Sequence, residues 1–457
     1  MSPTGFAETG FSVGTGSTAP FWFVSNNYAV NSAKDNSLFL RTGISTELQK
    51  EHSFDYSYGL DLLGRYDNSS YYSLHQAYLQ GKIFFFTILA GKKEELFGNQ
   101  DSTLSSGGLL WSGNAAPIPK IGVYVNDYTP VPFTKGLFEF KGGLSHGWFG
   151  NQPYVEDSYM HHKYVYIQFG GKLPFHAHFG FHDYAQWGGT TLQGKQPSDL
   201  EAFYDIFFAK KSETDILPNG EPIANTLGNH IGSRNFGIDA TVKGTVYKAY
   251  WQTVFEDNSG YAWRNIRDGL WGLVIENPNF KYASKFLYEF LHTTDQSGTY
   301  NGYYIYNGKK YITYTSPGPG AVYHEYGGND NYFNHGVYNF GWTYNDYTIG
   351  TPLITSPVLL KGNESDYIRN NKVIAHHIGF EGNLSENIKY KTFFTYSLNY
   401  GTNAYPFSSV KNQISYYANL MYFISKLKIS IIAALAIDRG EMYGNNSGIN
   451  LGIRKVF

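Results

Sequence analysis

The sequence predicts an all-β fold, and within that class a transmembrane antiparallel β-barrel. Aromatic residues make up 18% of the chain and charged residues only 16%, whereas soluble domains contain about 25% charged residues. Apolar and polar side chains alternate with period two from about residue 37 onward, which indicates strands with one apolar face. No apolar stretch approaches the about 20 residues of a membrane-spanning helix, but strands cross a bilayer in about 9–11 residues. Aromatic girdles flank the apolar belt of such a barrel.

One alternating stretch predicts which face of a strand is turned to lipid. Lys285 and Glu289 share a face, and Phe286, Tyr288 and Phe290 occupy the opposite face. A lysine on the lipid face near the midplane costs about 2–4 kcal/mol. We therefore expect the two charged residues to point into the lumen and the three aromatic residues to point outward.

Two further stretches alternate and are also predicted as strands. In Val337–Asn345 the aromatic residues fall on one face and small or polar residues on the other. Ser447–Phe457 ends on an aromatic residue, which resembles the signal that barrel-assembly machinery reads in outer-membrane proteins. Lys455 departs from that signal, and we expect its long side chain to reach the interface with water.

The chain is predicted to be one barrel without a linker between domains. Residues 1–36 are weakly patterned and are expected to form an N-terminal periplasmic or luminal segment leading into the barrel at 37–457. Three segments lack regular alternation and are predicted to be long loops near 99–132, 188–230 and 299–333. Within the second, Ser198–Lys211 opens on Ser198-Asp199-Leu200-Glu201, a capping-box spacing that predicts a short helix. No basic and then apolar stretch follows Met1, so we expect a secretory signal to be absent from this sequence.

Charge and cysteine content exclude several classes of function. The net charge is -2, and nucleic-acid-binding domains are typically basic. No nucleic-acid partner is therefore expected. The chain contains no cysteine, so barrel closure rather than disulfide bonding must hold the fold together.

Histidine and serine residues of the sequence offer two alternatives to sugar binding, a metal site and a catalytic site. His176, His178 and His182 fall on one face of a predicted strand, where imidazoles two residues apart could share a metal. No carboxylate of the same strand face joins them, and polar luminal histidines are the simpler interpretation. His182-Asp183 near serine-rich loops is compatible with a hydrolase, but such a triad is recognised by geometry and not by sequence position. We predict no metal site, no cofactor and no enzymatic activity.

Loop residues with sugar-binding chemistry form the candidate site. Aromatic faces cover the apolar C–H face of a sugar, and fixed hydrogen-bonding side chains meet its hydroxyl groups. Residues of these types lie where alternation lapses, and they are predicted to bind polysaccharide: Trp111, Asn114, Asp257, Trp263, Arg267, Asp268, Asp330 and Tyr332. The competing interpretation is that the aspartates build turns and that the aromatic residues belong to the girdles.

Several motifs occur in the same order as in a known family. The sequence resembles the Wzi family of outer-membrane capsule-assembly proteins over most of its length. The stretches that carry the resemblance are Thr18–Phe23, Ser25–Tyr28, Ser105–Pro119, Phe255–Gly260, Arg267–Gly272, Asp295–Gly298 and Gly350–Leu353.

The resemblance implies a monomeric barrel of about 18 strands in the outer membrane, with an N-terminal helical part. It also implies a lectin-like role in which the barrel attaches capsular polysaccharide at the cell surface, in contact with outer-membrane lipid. Whether a capsule-export or lipoprotein partner also docks is left open by the sequence. Two other classes remain open on the residues alone. One is a substrate-selective channel for saccharides, and the other is a soluble carbohydrate-binding β-protein, which would need neither lipid-facing stripes nor a terminal aromatic residue.

Overall fold

In a computed structural model, the structure describes residues 2–210, 226–256, 258–298, 302–311, 317–325, 329–360 and 367–457. Its main element is an antiparallel sheet of 18 strands. In chain order these strands are β1 Thr4–Gly14, β2 Ser37–Ser45, β3 Phe54–Tyr66, β4 Ser70–Ile83, β5 Phe86–Lys92, β6 Lys120–Pro130, β7 Phe138–Gly150, β8 Ser158–Phe169, β9 Phe175–Trp187, β10 Asn229–Val242, β11 Thr245–Gln252, β12 Gly269–Glu276, β13 Lys285–His292, β14 Val373–Asn383, β15 Ile388–Gly401, β16 Pro406–Ile424, β17 Ile429–Gly440 and β18 Asn446–Val456.

The sheet closes into a barrel. Each strand pairs with the next one along the chain, and β1 pairs with β2 on one edge and with β18 on the other. Thr9 of β1, for example, lies opposite Leu40 of β2 and Ile453 of β18. Because closure leaves no free strand edge, every backbone amide of the wall can be paired within the sheet. The predicted fold class, including the strand number that the resemblance implied, is confirmed.

The two ends of the barrel differ in the length of their connections. Successive strands run in opposite directions, so the connections alternate between the ends. The end that holds both chain termini, here called the terminal end, has short turns such as 84–85 and 243–244. The opposite end, here called the loop end, carries 15–36, 93–119, 188–228, 253–268 and 293–372. Every long connection that bears a candidate site residue therefore leaves from the loop end.

The two faces of the wall follow the predicted alternation. On β13, Lys285 and Glu289 are buried inside the barrel at 7% and 1% exposure, whereas Phe286, Tyr288 and Phe290 point outward. On β18 the large outward residues are exposed. The predicted orientation of β13 is confirmed, since the charged side chains meet polar partners in the lumen.

The barrel begins earlier than the sequence predicts. Thr4–Gly14, inside the segment 1–36 that was expected to lead into the barrel, is itself the first strand. Glycine, serine and threonine hold many of its positions, so its apolar alternation is weak. The rest of the segment does enter the lumen, where the short helix α1, Phe21–Val24, is fully buried. This helix is the only helical part of the described N-terminal region.

Two other local predictions need revision. The barrel strand predicted at Val337–Asn345 does not form, because only Thr343–Tyr344 is extended there, in a small hairpin with Tyr347–Thr348. Its aromatic residues are not in the wall: Tyr338, Trp342 and Tyr344 are buried, and Phe340 is half-buried beside Tyr154. The predicted helix does form as α2, Leu200–Phe208, but its N-cap is Asp199, which accepts a hydrogen bond from the Ala202 amide at 2.8 Å.

The remaining elements are short and belong to connections. The predicted loop near 99–132 ends at Lys120, where β6 begins. The other short elements are α3 Asn258–Tyr261, the 3-10 turns Pro357–Leu359 and Ser425–Leu427, and the extended segments Val155–Glu156, Thr190–Thr191, Gly194–Lys195, Gly302–Tyr306, Lys309–Tyr311 and Val322–Glu325. Among the helices that the structure describes, none has the length and apolar character needed to span a membrane.

Candidate functional site

The lumen is filled by three connections from the loop end, here together called the plug: 15–36, 93–119 and 329–360 with 367–372. The second of these is held by a single carboxylate of the wall. Glu289 of β13 accepts hydrogen bonds from Ser105 Oγ at 2.7 Å, from the Ser106 amide at 2.7 Å and from Ser106 Oγ at 2.6 Å. It also accepts one from the Tyr250 hydroxyl. Hydrogen bonds to a charged group are worth about 1.5–3 kcal/mol each, so this carboxylate is a strong anchor for the plug.

The first connection is fixed through α1. The Phe21 amide donates to Asp438 Oδ2 on β17 at 2.7 Å, and the Trp22 indole donates to Thr395 Oγ1 on β15 at 3.2 Å. The rings of Phe21 and Trp22 pack edge to face with their centroids 4.9 Å apart. Four aromatic and aliphatic residues in one helical turn therefore place α1 against the inner wall and leave it no contact with solvent.

The third connection packs on the second. Trp342 is fully buried, and its indole donates to the Leu110 carbonyl at 2.8 Å. Asn114 donates to the Thr348 carbonyl at 2.9 Å and to Ser356 Oγ at 3.1 Å. Polar groups buried in irregular backbone need such partners, and side-chain amides supply them where strand pairing is absent.

Ion pairs tie the plug to the wall at two further places. Lys285 Nζ lies 3.2 Å from Asp101 of the plug and 3.2 Å from Glu381 on β14. Burial by itself raises the pKa of Asp101, but the amides of Thr103 and Leu104 and the Lys285 ammonium outweigh it, so the pKa lies below its ordinary value.

Glu94 forms the second tie. It lies 2.6 Å from Arg41 and 2.9 Å from His75. Burial opposes its ionised form, but the hydrogen bonds from His75 and Arg41 hold the pKa of Glu94 below its ordinary value. Both plug carboxylates are thus ionised at neutral pH and neutralise cations of the inner wall.

Two predicted sugar-binding residues belong to the plug. Trp111 is 7% exposed, donates to the Glu95 carbonyl at 3.0 Å and stacks on Tyr184 at 5.7 Å. Asn114 is 1% exposed and is committed to Thr348 and Ser356. Their residue types suggested sugar contacts, but their positions leave no surface for a polymer. The structure assigns both to the packing of the plug.

Three more predicted residues form a polar cluster at the loop end, around Asp268. This carboxylate is completely buried and accepts hydrogen bonds from the Gln296 amide at 2.7 Å and the Tyr332 hydroxyl at 2.7 Å. Burial, and then the adjacent Asp268, raises the pKa of Tyr332 well above its ordinary value. Asp330 is 7% exposed and accepts from Ser297 Oγ at 2.6 Å. These side chains organise the connections 253–268 and 293–372, which corrects the prediction that they contact sugar.

Trp263 lies on the outer wall. Its ring is 36% exposed and lies 5.9 Å from Trp251 and 6.0 Å from Phe236, both outward residues. The guanidinium of Arg234 lies 4.2 Å from its centroid. This setting is that of an aromatic girdle, the alternative interpretation of the sequence. Asp257, the remaining aspartate of the predicted set, lies outside the described residues.

Among the predicted residues that the structure describes, Arg267 is exposed at the loop end, where a groove also opens. This groove, here called the rim groove, has a volume of about 320 Å³ and is lined by Thr294, Lys372, Tyr400, Thr402, Asn403, Pro406, Phe407 and Val410. Lys372 Nζ lies 2.6 Å from Asn403 Oδ1, and Asn403 in turn donates to Gln296 at 2.8 Å. The groove is therefore built on the same polar cluster that surrounds Asp268.

Asp295 links Arg267 electrostatically to the groove. Burial, and then the neighbouring Asp268, raise the pKa of Asp295, whereas the positive charges of Arg267, His292 and Lys372 act to lower it. A cation, a carboxylate and amide groups are thus held together at the rim, which is a set of donors and acceptors that can bind hydroxyl groups.

A pair of tyrosine rings flanks the groove, here called the tyrosine platform. Tyr367 and Tyr405 lie 5.2 Å apart, and the guanidinium of Arg369 is 4.4 Å and 4.5 Å from their ring centroids. Tyr405 is 50% exposed and lies in the connection 402–405, which also supplies Thr402 and Asn403 to the groove. The exposed ring of Tyr405 thus lies beside fixed polar groups, a combination of residue types that the sequence analysis sought at other positions.

Sequence reasoning missed most of the rim groove. Lys372, Tyr400 and Asn403 come from three positions that converge only when β13, β14, β15 and β16 lie side by side. The available signal was the polar run Asn370-Asn371-Lys372 directly before a strand, together with Asp295-Gln296-Ser297-Gly298, which was noted only for its resemblance.

The three strand histidines lie on the inner face, and two of them approach the same carboxylate. His176 Nδ1 lies 3.0 Å and His178 Nδ1 3.7 Å from Asp239, whereas His182 lies near His162 and Tyr166. The carboxylate near His176 comes from β10, so strand pairing and not the histidines' own strand supplies it. Over the described ranges, no group of three or more His, Cys, Asp or Glu side chains is arranged to hold a metal ion.

Comparison with known proteins supports the barrel. No family model matches the sequence, and no curated protein matches it. The chain is similar to the solved structure of Wzi from Escherichia coli, an outer membrane protein involved in group 1 capsule assembly and described as a carbohydrate-binding β-barrel. The identity is 14%, the match covers 98% of this chain and 83% of Wzi, and the TM-score is 0.59. Similarity at this identity establishes the fold: the chain folds like an outer-membrane β-barrel.

Other solved outer-membrane barrels match over the whole chain at lower similarity. OccAB2 of Acinetobacter baumannii is 9% identical, with 100% of this chain and 98% of that chain covered and a TM-score of 0.48. A loop-deletion mutant of OmpT, an outer membrane protein of Vibrio cholerae, is 8% identical, with 100% and 98% covered and a TM-score of 0.38.

Proposed function

We propose that this chain is a monomeric outer-membrane barrel that holds capsular or other surface polysaccharide at its loop end, in the manner of a lectin. The observation that carries this proposal is the rim groove with its adjacent tyrosine platform. Lys372, which Asn403 holds in place, has further N–H groups to donate there, and the Tyr405 side chain is 50% exposed. Sugars need both kinds of contact, because their hydroxyl groups are polar and their C–H faces are apolar.

The orientation of the barrel supports a role at the cell surface. In outer-membrane barrels the short turns are periplasmic and the long loops are extracellular. By that rule the terminal end faces the periplasm, and the rim groove at the loop end faces the cell exterior. The exposed outward side chains of the strands, such as Leu451 and Ile453 on β18, contact outer-membrane lipid.

The filled lumen argues against the runner-up function, a channel for saccharides. A barrel of about 18 strands is wide enough to leave an aqueous channel. Here the first plug connection is tied to the wall through Asp438, the second through Glu289 and Lys285, and the third through the hydrogen bond that Asn370 donates to Asn399 on β15. A passive pore needs an open path through its lumen, and it would not need contacts that hold a plug against the wall.

The nature of the polymer comes from the likeness to Wzi, whose description names capsule assembly and carbohydrate binding. The groove itself identifies only a polyhydroxylated ligand. A single stacking or charged contact supplies about 1–3 kcal/mol, and repeated units of a polymer would multiply weak contacts.

The test replaces one residue of the rim groove and one residue of the tyrosine platform in the same variant. In cells that make capsule, Lys372→Ala with Tyr405→Ala should release polysaccharide into the medium while the barrel remains inserted and heat-modifiable. A matched control is Lys195→Ala with Tyr72→Ala, since both residues are exposed near the loop end but away from the groove. Normal cell-bound capsule in the well-folded groove variant would contradict the proposed site.

Two single variants separate the predicted residues that lie near the rim. Arg267→Ala should weaken polysaccharide retention by folded protein, because Arg267 is exposed at the loop end, where the groove also opens. Trp263→Ala should instead lower the yield of folded barrel and leave retention per folded molecule unchanged, because Trp263 packs on Trp251 and Arg234.

A further inference from the structure

A second cavity lies inside the lumen, away from the rim groove. It has a volume of about 210 Å³ and is here called the luminal cavity. One side is formed by residues 22–31 of the plug and another by residues 96–107. The barrel wall closes it with the inward side chains of Lys391, Phe393, Tyr417, Ala434 and Asn450. One water molecule takes up about 30 Å³ of liquid, so the cavity has room for a small organic ligand.

Three oxygen atoms of cavity-lining residues are buried without a hydrogen-bond partner: Ser25 Oγ, Asn26 Oδ1 and Asn27 Oδ1. Ser25 is only 4% exposed. The amide nitrogens of the two asparagines are already committed, to the Ser105 and Phe23 carbonyls. Each of these oxygens exposes less than 1 Å², so a ligand reaches them only when the side chains of Ser25, Asn26 and Asn27 turn toward the cavity; since buried acceptors are nearly always paired, a ligand that donates hydrogen bonds would favour that turn.

A cation also lines the cavity. Lys391 is the fourth residue of β15, on the side of the cavity toward the terminal end. Among the described residues, no carboxylate lies within 4.0 Å of its ammonium group, and the nearby Glu381 is paired with Lys285. An ammonium group can only donate. The ammonium group lies 5.5 Å from the Phe393 ring centroid, and the Asp101 carboxylate that also lines the cavity is paired with Lys285. An acceptor on the ligand, best an anionic oxygen, would therefore suit Lys391.

Aromatic rings complete the cavity. Trp22 and Phe393 have centroids 5.2 Å apart, and Phe393 stacks on Tyr417, also at 5.2 Å with an interplanar angle of 22°. The Trp22 indole is fixed by its hydrogen bond to Thr395. Rings held in this way offer rigid apolar surface against which the C–H face of a sugar can pack.

We infer that the luminal cavity binds a carboxylated sugar, such as a uronic acid. Hydroxyl groups would donate to the three unpaired oxygens, the carboxylate would accept from Lys391, and the ring would lie on the aromatic wall. The site goes beyond the loop-end function, because it uses different residues and lies deep within the barrel. The sugar could be free or be the end of a polymer, and both carry the same chemistry.

The test measures binding to detergent-purified full-length protein by tryptophan fluorescence and calorimetry. D-glucuronate should bind at least tenfold more tightly than D-glucose and than acetate. Lys391→Met should remove the preference for glucuronate over glucose. The matched control is Lys389→Met, since Lys389 lies two residues away on the same inner face of β15 but does not line the cavity. Ser25→Ala should weaken glucuronate binding several-fold by removing one acceptor.

A glucuronate-containing tetrasaccharide distinguishes the two sources. Tighter binding of the tetrasaccharide than of glucuronate indicates a polymer end, and binding of glucuronate alone indicates a free sugar; either outcome supports the site. Equal binding of glucuronate, glucose and acetate, absence of glucuronate binding at millimolar concentration, or an equal effect of Lys389→Met would overturn it. The variant Lys372→Ala with Tyr405→Ala should bind glucuronate normally, so failure of the loop-end function and failure of this site are separable.

Discussion

Charged side chains occur on both faces of the barrel wall, and the two faces accommodate them in different ways. In the lumen, Glu289 and Lys285 face the plug, which supplies hydroxyl groups, an amide and the Asp101 carboxylate. On the outer wall near the loop end, Lys163 lies 2.8 Å from Asp183, and Asp183 lies 3.1 Å from His230.

The outer cluster is covered by α2. Phe207 of this helix packs over Lys163, with 5.0 Å from the ammonium group to the ring centroid, and its carbonyl accepts a hydrogen bond from the same lysine. Elsewhere the outward side chains of the strands are mainly apolar. Because an uncovered lysine on the lipid face costs about 2–4 kcal/mol, the outer cluster needs the cover that α2 provides. Charges on the inner face pair either with the plug, as Lys285 does with Asp101, or within the wall, as Arg454 does with Glu8.

The largest effect is expected at the anchor of the plug. Glu289→Leu removes the common acceptor of Ser105, Ser106 and Tyr250, leaving their buried donors unpaired. We expect plug docking to weaken by about 3–5 kcal/mol and the barrel to gain ion conductance. Planar-bilayer recording measures this directly. Glu289→Gln keeps the shape and one acceptor, and should conduct less than the leucine variant. If bilayers that contain well-folded Glu289→Leu show no added ion conductance, the plug is held chiefly by packing.

A smaller effect is expected on the outer wall. Asp183→Ala leaves Lys163 and His230 without their carboxylate beneath α2, and we expect a loss of about 3 kcal/mol in the free energy of unfolding. The control is Asp127→Ala, which breaks the Lys50–Asp127 contact between side chains that are 77% and 61% exposed. Exposed pairs contribute about 0–1 kcal/mol. Reversible urea unfolding in lipid vesicles compares the stabilities of Asp183→Ala and Asp127→Ala. Equal unfolding midpoints for the two variants would show that α2 does not shield a costly charge.

The smallest effect concerns acid. The pKa of Asp101 lies below its ordinary value in the folded protein, for the reasons given above. Its contribution to plug docking is therefore complete above the ordinary carboxyl pKa of about 4 and is lost as the pH falls through the lowered value. Conductance should rise at strongly acidic pH in the wild type and change less with pH in Asp101→Asn. An identical pH response in both proteins would assign the acid sensitivity to other carboxylates.

The sequence predicts the structure of the wall better than it predicts the structure of the plug. The strand β13 was predictable residue by residue, because lipid on one side and polar partners on the other impose a period of two. Val337–Asn345 has the same alternation but lies in the plug, where Trp342 is buried against Leu110. Alternation records only that every second residue is apolar, and it does not distinguish lipid from a packed interior.

The candidate site divides in the same way. The residue types at the loop end predicted a sugar-binding site, but they did not predict which side chains are exposed there, because Asp268 and Tyr332 have the same composition signature whether they face solvent or each other. Lys372, Asn403 and Tyr405 come together only through the neighbouring positions of β14, β15 and β16.

By itself, then, the sequence determined the class of fold and the two faces of the wall, since the membrane imposes one simple rule on every strand. Tertiary structure alone decided that the lumen is filled, that α2 covers charge on the outer wall and that the rim groove lies above β13–β16. Each of these depends on long connections meeting distant strands, and the partners of Glu289, such as Ser106, are 183 residues away in sequence.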